Sequence, residues 1–103
     1  MYLIQVLIPV RHKNGSRVPA DEFVRLRRLL VETFGGLTEF SRSPARGLWK
    51  PDPSDAAEKD DIVVFEVMAE KLDRSWWALI RQALEARLGQ EMIVIRSQAI
   101  ELL

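Results

Sequence analysis

The chain has 103 residues, of which 48% are hydrophobic and 29% charged, and it contains no cysteine. This length corresponds to one domain, residues 1–103, with enough chain to bury a core without covalent cross-links. The absence of cysteine excludes a disulfide framework, a thiol nucleophile and a cysteine-based metal site. The formal net charge is zero, but residues 1–50 carry nine Lys or Arg against four Asp or Glu, which predicts a dipolar surface and argues against nucleic-acid binding.

Residues 2–10 are predicted to form the first β-strand. Ile4, Val6 and Ile8 lie on one side of this segment, and Leu3 and Leu7 lie on the other. Apolar residues on both sides are typical of a central strand. The segment is too short to cross a membrane and lacks the positive start of a signal peptide. We therefore expect no membrane partner and a cytoplasmic location, which suits a chain without cysteine.

A polar, basic loop follows at residues 11–17, with Asn14-Gly15 as its turn signal. It contains His12, the only histidine, which is the side-chain type best suited to proton transfer near neutral pH. Two interpretations remain open for this loop. It is either a catalytic or anion-binding element, or a solvated turn that carries an exposed histidine.

Residues 19–34 are predicted to form the first helix. Pro19 suits the first helical position and Gly35-Gly36 ends the segment. An apolar stripe at helical spacing faces the core and consists of Phe23, Leu26, Leu30 and Phe34. The arginines are expected on a solvated face, where two of them form pairs with acids four residues apart: Arg25, Arg27 and Arg28, with the pairs Asp21–Arg25 and Arg28–Glu32.

Residues 37–50 give a weaker pattern. An edge strand, either bulged or folded back as a hairpin, would tolerate Pro44. Residues 51–60 are polar and are predicted to form a loop, either a simple connector or a lid.

The second half repeats the plan of the first. A strand is predicted over residues 62–69, a helix over 73–88 and a strand over 92–97. Asp73 is expected to cap the helix N-terminus, and Gly89 to end the helix in a left-handed conformation. Trp76 and Trp77 either both pack in the core, or one of them lines a subunit contact or pocket. The apolar tail, residues 99–103, either seals the core or sheet edge or adds to a neighbouring subunit.

The element order β-α-β-β-α-β resembles the ferredoxin-like fold. That resemblance implies an α+β domain with a four-stranded antiparallel sheet and both helices on one face. Six residues are then expected to meet the helices: Ile4, Val6, Ile8, Val63, Phe65 and Val67. Alternation along the strands places ten others on the open face: Leu3, Gln5, Leu7, Ile62, Val64, Glu66, Met68, Met92, Val94 and Arg96.

Seven of those ten residues are aliphatic or Met, too many to leave in contact with water. A second copy of the chain is the simplest cover, and we therefore expect a homodimer. In this respect the chain resembles the dimeric α/β-barrel superfamily, in which two ferredoxin-like subunits place their sheets face to face around small cavities. The superfamily includes small monooxygenases, isomerase-like enzymes, and haem-binding and stress-response proteins. Several of its haem and catalytic members pair a strand histidine with an acid, and this pattern is missing because His12 falls in a loop.

The polar exceptions on the open face, Gln5, Glu66 and Arg96, form the predicted site. They make either a structural network at the subunit interface or a polar pocket in an apolar cavity. In the second interpretation Glu66 would be a catalytic base, and Arg96 and Gln5 would bind the substrate. Trp49 or Tyr2 would then supply a wall.

Three functions are compatible with this pattern: a homodimeric small-ligand-binding or accessory module, an enzyme that acts on a small apolar or anionic substrate, and a protein-interaction module. The enzyme would work without a cofactor, and no metal is expected, because the sequence lacks a phosphate-binding glycine loop, HExxH, a carboxylate cluster at metal spacing and a serine nucleophile elbow.

Overall fold

The computed structural model describes the backbone of residues 1–49 and 58–103, and the side chains of residues 1–40 and 62–103. The elements are β1 (Tyr2–Pro9), α1 (Ala20–Phe34), β2 (Thr38–Trp49), β3 (Glu58–Ala69), α2 (Arg74–Leu88) and β4 (Val94–Ala99). The strands form one antiparallel sheet in the order β2-β3-β1-β4. The predicted α+β, ferredoxin-like βαββαβ fold is therefore confirmed.

The hydrophobic core lies between the sheet and the two helices. Alternate residues of β1 and of the described part of β3 enter it, and the six side chains expected to meet the helices are all at most 5% exposed. Leu26 and Leu30 of α1 are buried, while Phe23 and Phe34 pack against the core from its margin. The helical and strand periodicities of the sequence therefore identify the same interior.

Both helices end as their local sequences predict. The side chain of Asp73 accepts a hydrogen bond from the backbone N–H of Trp76 at 3.1 Å, which satisfies one free donor of the first turn of α2. Gly35 and Gly89 adopt left-handed conformations at the two C-termini, with φ of 79° and 59°. Pro19 takes the N-cap position of α1, one residue outside the helix.

The arginines of α1 do not behave as a uniform solvated face. Arg27 reaches β2 and donates two hydrogen bonds of 2.7 Å to the carboxylate of Glu39. Among the described side chains, neither Asp21–Arg25 nor Arg28–Glu32 forms an ion pair within 4.0 Å. The expectation of a wholly solvated arginine face was therefore wrong, because spacing along one helix cannot reveal a partner on a strand.

A second bidentate pair joins the two helices. Arg87 of α2 donates two hydrogen bonds of 2.9 Å to the carboxylate of Glu22 of α1. These bonds lower the pKa of Glu22, since they stabilise its charged form.

The two adjacent tryptophans belong to an aromatic cluster with Phe34. The rings of Phe34 and Trp77 are stacked at 5.4 Å, and Trp76 meets both rings edge-on. Trp77 is 6% exposed and contributes to the core, whereas Trp76 is half-buried. Their different directions agree with the rotation of about 100° per helical residue.

The observed bounds of β2 and β3 differ from the predicted ones. β2 is an edge strand whose register shifts between Phe40 and Ala45, the interval that contains Pro44. β3 begins at Glu58, so residues 58–60 belong to a strand and not to the predicted polar loop. Residues 51–57, the remainder of that loop, lie outside the described part of the chain. Because β1 pairs with β3 only from Ile62 onwards, the first residues of β3 pair with β2 alone.

The last strand begins two residues later than predicted, at Val94. Met92 therefore lies outside the sheet and is 73% exposed, so its assignment to the open face was wrong. The shift is an even number of residues, so Val94 and Arg96 keep the face that was predicted for them.

The apolar tail follows β4. The backbone N–H of Ile100 donates a hydrogen bond to the carbonyl oxygen of Met1, and the side chain of Leu102 is 64% exposed.

Candidate functional site

Three polar side chains meet at the centre of the open sheet face. Antiparallel register places Gln5 of β1 directly opposite Glu66 of β3 on one side and Arg96 of β4 on the other. The Nε2 of Gln5 donates to Oε1 of Glu66 at 2.5 Å, and the Nε of Arg96 donates to Oε1 of Gln5 at 2.7 Å. The predicted trio is therefore one continuous hydrogen-bonded chain across three strands.

Gln5 holds the two charged groups apart while it contacts both. Its amide offers a donor to the carboxylate and an acceptor to the guanidinium, and this pair of neighbours fixes the orientation of the amide. Among the described side chains, neither Glu66 nor Arg96 forms an ion pair within 4.0 Å. The site therefore presents one negative and one positive group, each of which retains hydrogen-bonding capacity toward a ligand.

The surroundings of the trio are apolar and partly open to water. Leu3, Leu7 and Val64 flank it in the neighbouring register positions. Farther out on the same face lie three large apolar side chains that are 43–51% exposed: Phe40, Met68 and Val94. An apolar face with a few convergent polar groups is typical of small-molecule sites.

A groove of about 370 Å³ opens beside Glu66 where β2 begins. Its apolar walls include Leu3, Phe34 and Met68, and Thr38 lies opposite Glu66 in the sheet. β3 continues to Ala69, three residues beyond this last pairing with β2. Glu66 therefore lines a concave surface that a single chain forms by itself.

The other residues of the predicted site lie elsewhere. Tyr2 is on the helix face of β1, where it packs against the core, because its position alternates with that of Leu3 and Gln5. It therefore supplies no wall to the open face. Trp49 ends β2, and its side chain lies outside the described part of the structure.

His12 lies in the loop that follows β1, where it contacts the end of α2. Its Nδ1 is 2.7 Å from the carbonyl oxygen of Leu88, one of the acceptors left unpaired at a helix C-terminus. Since a carbonyl only accepts, Nδ1 carries the proton and donates it. The loop itself is closed by hydrogen bonds from the backbone N–H of His12 to Ser16 and of Gly15 to His12. The structure thus gives His12 a helix-capping contact and does not bring it to Glu66.

Some residues of this region were not anticipated from the sequence. Phe40 and Thr38 belong to the open face because β2 pairs with β3 through Phe40↔Val64 and Thr38↔Glu66. The alternation of Thr38, Glu39 and Phe40 contains this information, but the irregular sequence that follows obscures the register. Phe34 and the two glycines after it reach the groove only because α1 ends there.

Among the residues that the structure describes, no three His, Asp or Glu side chains are grouped so that they could hold a metal ion. Within the same residues, neither helix has the length and apolar character required to cross a bilayer.

Comparison with known proteins gives a likeness at the level of structure. No protein-family model matches the chain, and no curated protein matches it in sequence. A phage SAM lyase in complex with S-methyl-5'-thioadenosine is similar in fold, with a TM-score of 0.60 and 13% identity over 94% of this chain and 79% of that one. The same kind of enzyme in its apo state gives a TM-score of 0.56 and 12% identity over 94% and 78% of the two chains. At this identity the likeness shows a shared α+β antiparallel-sheet fold and no narrower family.

Proposed function

We propose that the protein is a homodimeric small-molecule-binding protein whose ligand site is centred on Gln5, Glu66 and Arg96. The observation that carries the proposal is the hydrogen-bonded chain of these residues in the middle of a partly exposed apolar face. The second copy would lay its own open face over this one, in the arrangement of the dimeric α/β-barrel proteins. The ligand would occupy the space left between the two sheets.

Solvation energies support both parts of this proposal. Apolar side chains gain about 25 cal/mol for each Å² that leaves water, so Phe40, Met68 and Val94 favour a protein cover. The charged ends of Glu66 and Arg96 oppose a dry cover, because an enclosed charge without a matched partner is costly. An interface that buries the apolar margin and keeps a polar cavity at its centre satisfies both requirements.

An enzymatic role is the second candidate, and the structural neighbours favour it. Both are of a SAM lyase, and one of them contains S-methyl-5'-thioadenosine. In such a role the carboxylate of Glu66 would accept a proton or stabilise a positive centre of the substrate, while Arg96 would orient an anionic group. The reaction would use no cofactor. Adenosine thioethers and their sulfonium analogues are therefore the first compounds to test.

The experiment is native mass spectrometry of protein purified from its own host, followed by titration calorimetry with S-methyl-5'-thioadenosine. We expect a dimer that carries an additional small mass. Glu66→Gln should weaken binding of the retained ligand about tenfold or more, because it removes the charge and keeps the shape and the hydrogen bond from Gln5. Glu70→Gln is the matched control, since Glu70 is exposed just beyond the same strand.

The outcomes separate the two parts of the proposal. A monomer would remove the enclosed cavity and with it the ligand site. A dimer whose ligand binds Glu66→Gln and the wild type equally would retain the dimer and contradict the site. Binding of S-methyl-5'-thioadenosine followed by a change in its mass would favour the enzyme over the binding module.

A further inference from the structure

We propose that the groove between α2 and β4, on the helix side of the sheet, is a second binding site. It takes a small organic anion, a carboxylate or a phosphate ester with an apolar body. The groove has a volume of about 260 Å³, and its lining includes Arg74, Arg81, Trp77 and Ser97. It goes beyond the proposed ligand site, which lies around Glu66 on the open face.

The charge of this groove is unusual for the half of the chain that forms it. Residues 51–103 carry six Lys or Arg against eleven Asp or Glu. Two of those six cations, Arg74 and Arg81, line the groove, and none of the acids among the described side chains does. The groove is therefore a local positive region on the otherwise acidic half of the molecule, and such a region attracts anions.

The two arginines of the groove, Arg74 and Arg81, retain capacity for an anion. Arg74 forms no ion pair within 4.0 Å with any described side chain, and Arg81 has a single contact of 3.5 Å with Glu85. The side chain of Arg96, the next cation along β4, lies on the open face instead, where its Nε donates to Gln5, so it belongs to the site around Glu66. A guanidinium binds a carboxylate or phosphate through two parallel hydrogen bonds, so Arg74 and Arg81 are suited to an oxyanion more than to a neutral ligand.

The floor of the groove explains why the ligand should also have an apolar part. Trp77 and Ile4 lie at its base and are almost fully buried, and Leu72 and Ile95 complete the apolar lining. Trp77 is held in place by its stacking on Phe34. A rigid aromatic base beside charged side chains is suited to a small ring that carries an acidic group. Because Trp77 is already fixed in the free protein, binding does not incur the entropy cost of ordering it.

The test uses benzoate and phenyl phosphate as probes, with benzamide as the neutral control. Binding is followed in two-dimensional ¹⁵N–¹H spectra of the full chain. We expect both anions to shift the indole N–H signal of Trp77 and the amide signals of Ala78 and Ser97, while benzamide leaves them unchanged. The stronger of the two anions identifies the ligand as a carboxylate or a phosphate.

A pair of charge-matched double variants tests the role of the arginines. Arg74→Gln with Arg81→Gln should raise the Kd for the stronger anion about tenfold or more, since two charged hydrogen-bond donors are lost. Arg25→Gln with Arg28→Gln removes the same charge from the exposed side of α1 and should leave the Kd within about twofold. Equal weakening by both double variants would mean that only net charge matters and would overturn the proposal.

Shift mapping of the wild type keeps the proposal testable even if the groove variant does not fold. Shifts confined to the open face, around Gln5 and Glu66, would overturn the proposal and leave the ligand site intact. Equal shifts from benzamide and benzoate would also overturn it, because the arginines would then contribute nothing to recognition.

Discussion

Gln5 illustrates how much of the site depends on one neutral side chain. A leucine at this position would continue the apolar pattern of Leu3 and Leu7, but it would leave Glu66 and Arg96 without their shared partner. A glutamate would offer no donor to Glu66 and would place two like charges in directly opposed register positions. Glutamine is the residue that contacts both charges and adds none, so it keeps them separate and available to a ligand.

The ion pair between the helices leads to a prediction about pH. Hydrogen bonds from Arg87 lower the pKa of Glu22, so the folded state binds that proton more weakly than the unfolded chain does. The pair therefore stabilises the protein above the ordinary glutamate pKa, and this stabilisation is lost as the pH falls through the lowered value. We expect Glu22→Gln to unfold at a lower urea concentration than the wild type at pH 7, and the difference to narrow by about pH 3.

Asp21→Asn is the control for this variant. Asp21 lies in the same first turn of α1 and shares the favourable interaction with the helix dipole, but it has no ion pair among the described side chains. An equal, equally pH-dependent loss in both variants would assign the effect to the helix terminus and contradict the role of Arg87.

Single residues also mark the limit of what the sequence could reveal. Strand alternation predicted the buried face and the polar trio, because a period of two assigns each residue to a side once the strand is recognised. The partners of Arg27 and Arg87 were not predictable in the same way. Each pairs with a residue on another element, Glu39 or Glu22, and such a contact depends on how the elements pack.

At the scale of elements, α2 was the most predictable part of the chain because its ends are determined locally. Asp73 accepts from the first turn and Gly89 provides the left-handed residue after the last one, and both requirements can be identified without knowledge of the fold. The edge strands were less predictable. Residues 58–61 are charged at every position and show no apolar alternation, so their strand conformation follows only from pairing with β2.

The cap of α2 gives a direct test of this local determination. Asp73→Ala removes the acceptor of the Trp76 N–H, and we expect a loss of about 1 kcal/mol in the free energy of unfolding. Ser75→Ala is the control, since Ser75 is exposed in the same turn and makes no capping bond. Urea unfolding of both variants measures the difference. Since alanine favours the helix more than serine does, a loss of the same size in Ser75→Ala would show that the stability of this turn does not depend on the Asp73 cap.

For the whole molecule, the order of elements and their apolar faces were sufficient to predict the fold. The alternation of residues along the strands also predicted which face of the sheet meets the helices and which face remains open. The sequence could not identify the ligand, because specificity depends on the shape of a cavity and not on the presence of Glu66 or Arg96 alone. The groove between α2 and β4 was also not predicted. Its arginines, Arg74 and Arg81, lie on α2 and the rest of its wall includes Ile95 and Ser97 of β4, and only the packing of the helix on the sheet edge brings these residues together.

The dimer is the property on which the enclosed ligand site depends, and Val94 is the residue that tests it best. Val64 is 9% exposed within the single chain, so a charge there would disturb the fold itself. Val94 is 43% exposed on the open face of an edge strand, where Val94→Asp leaves a lone subunit intact and places two carboxylates in a symmetric interface.

Burial of each charge costs several kcal/mol, so the dissociation constant of the Val94→Asp dimer should rise by at least about 100-fold. Light scattering after size-exclusion chromatography should therefore give twice the chain mass for the wild type and the single-chain mass for Val94→Asp. Leu79→Asp should remain a dimer, because Leu79 is 65% exposed on α2, away from the open face. If the folded Val94→Asp variant keeps the dimer mass, the two sheets do not meet at this face, and any ligand of Glu66 must bind within one chain.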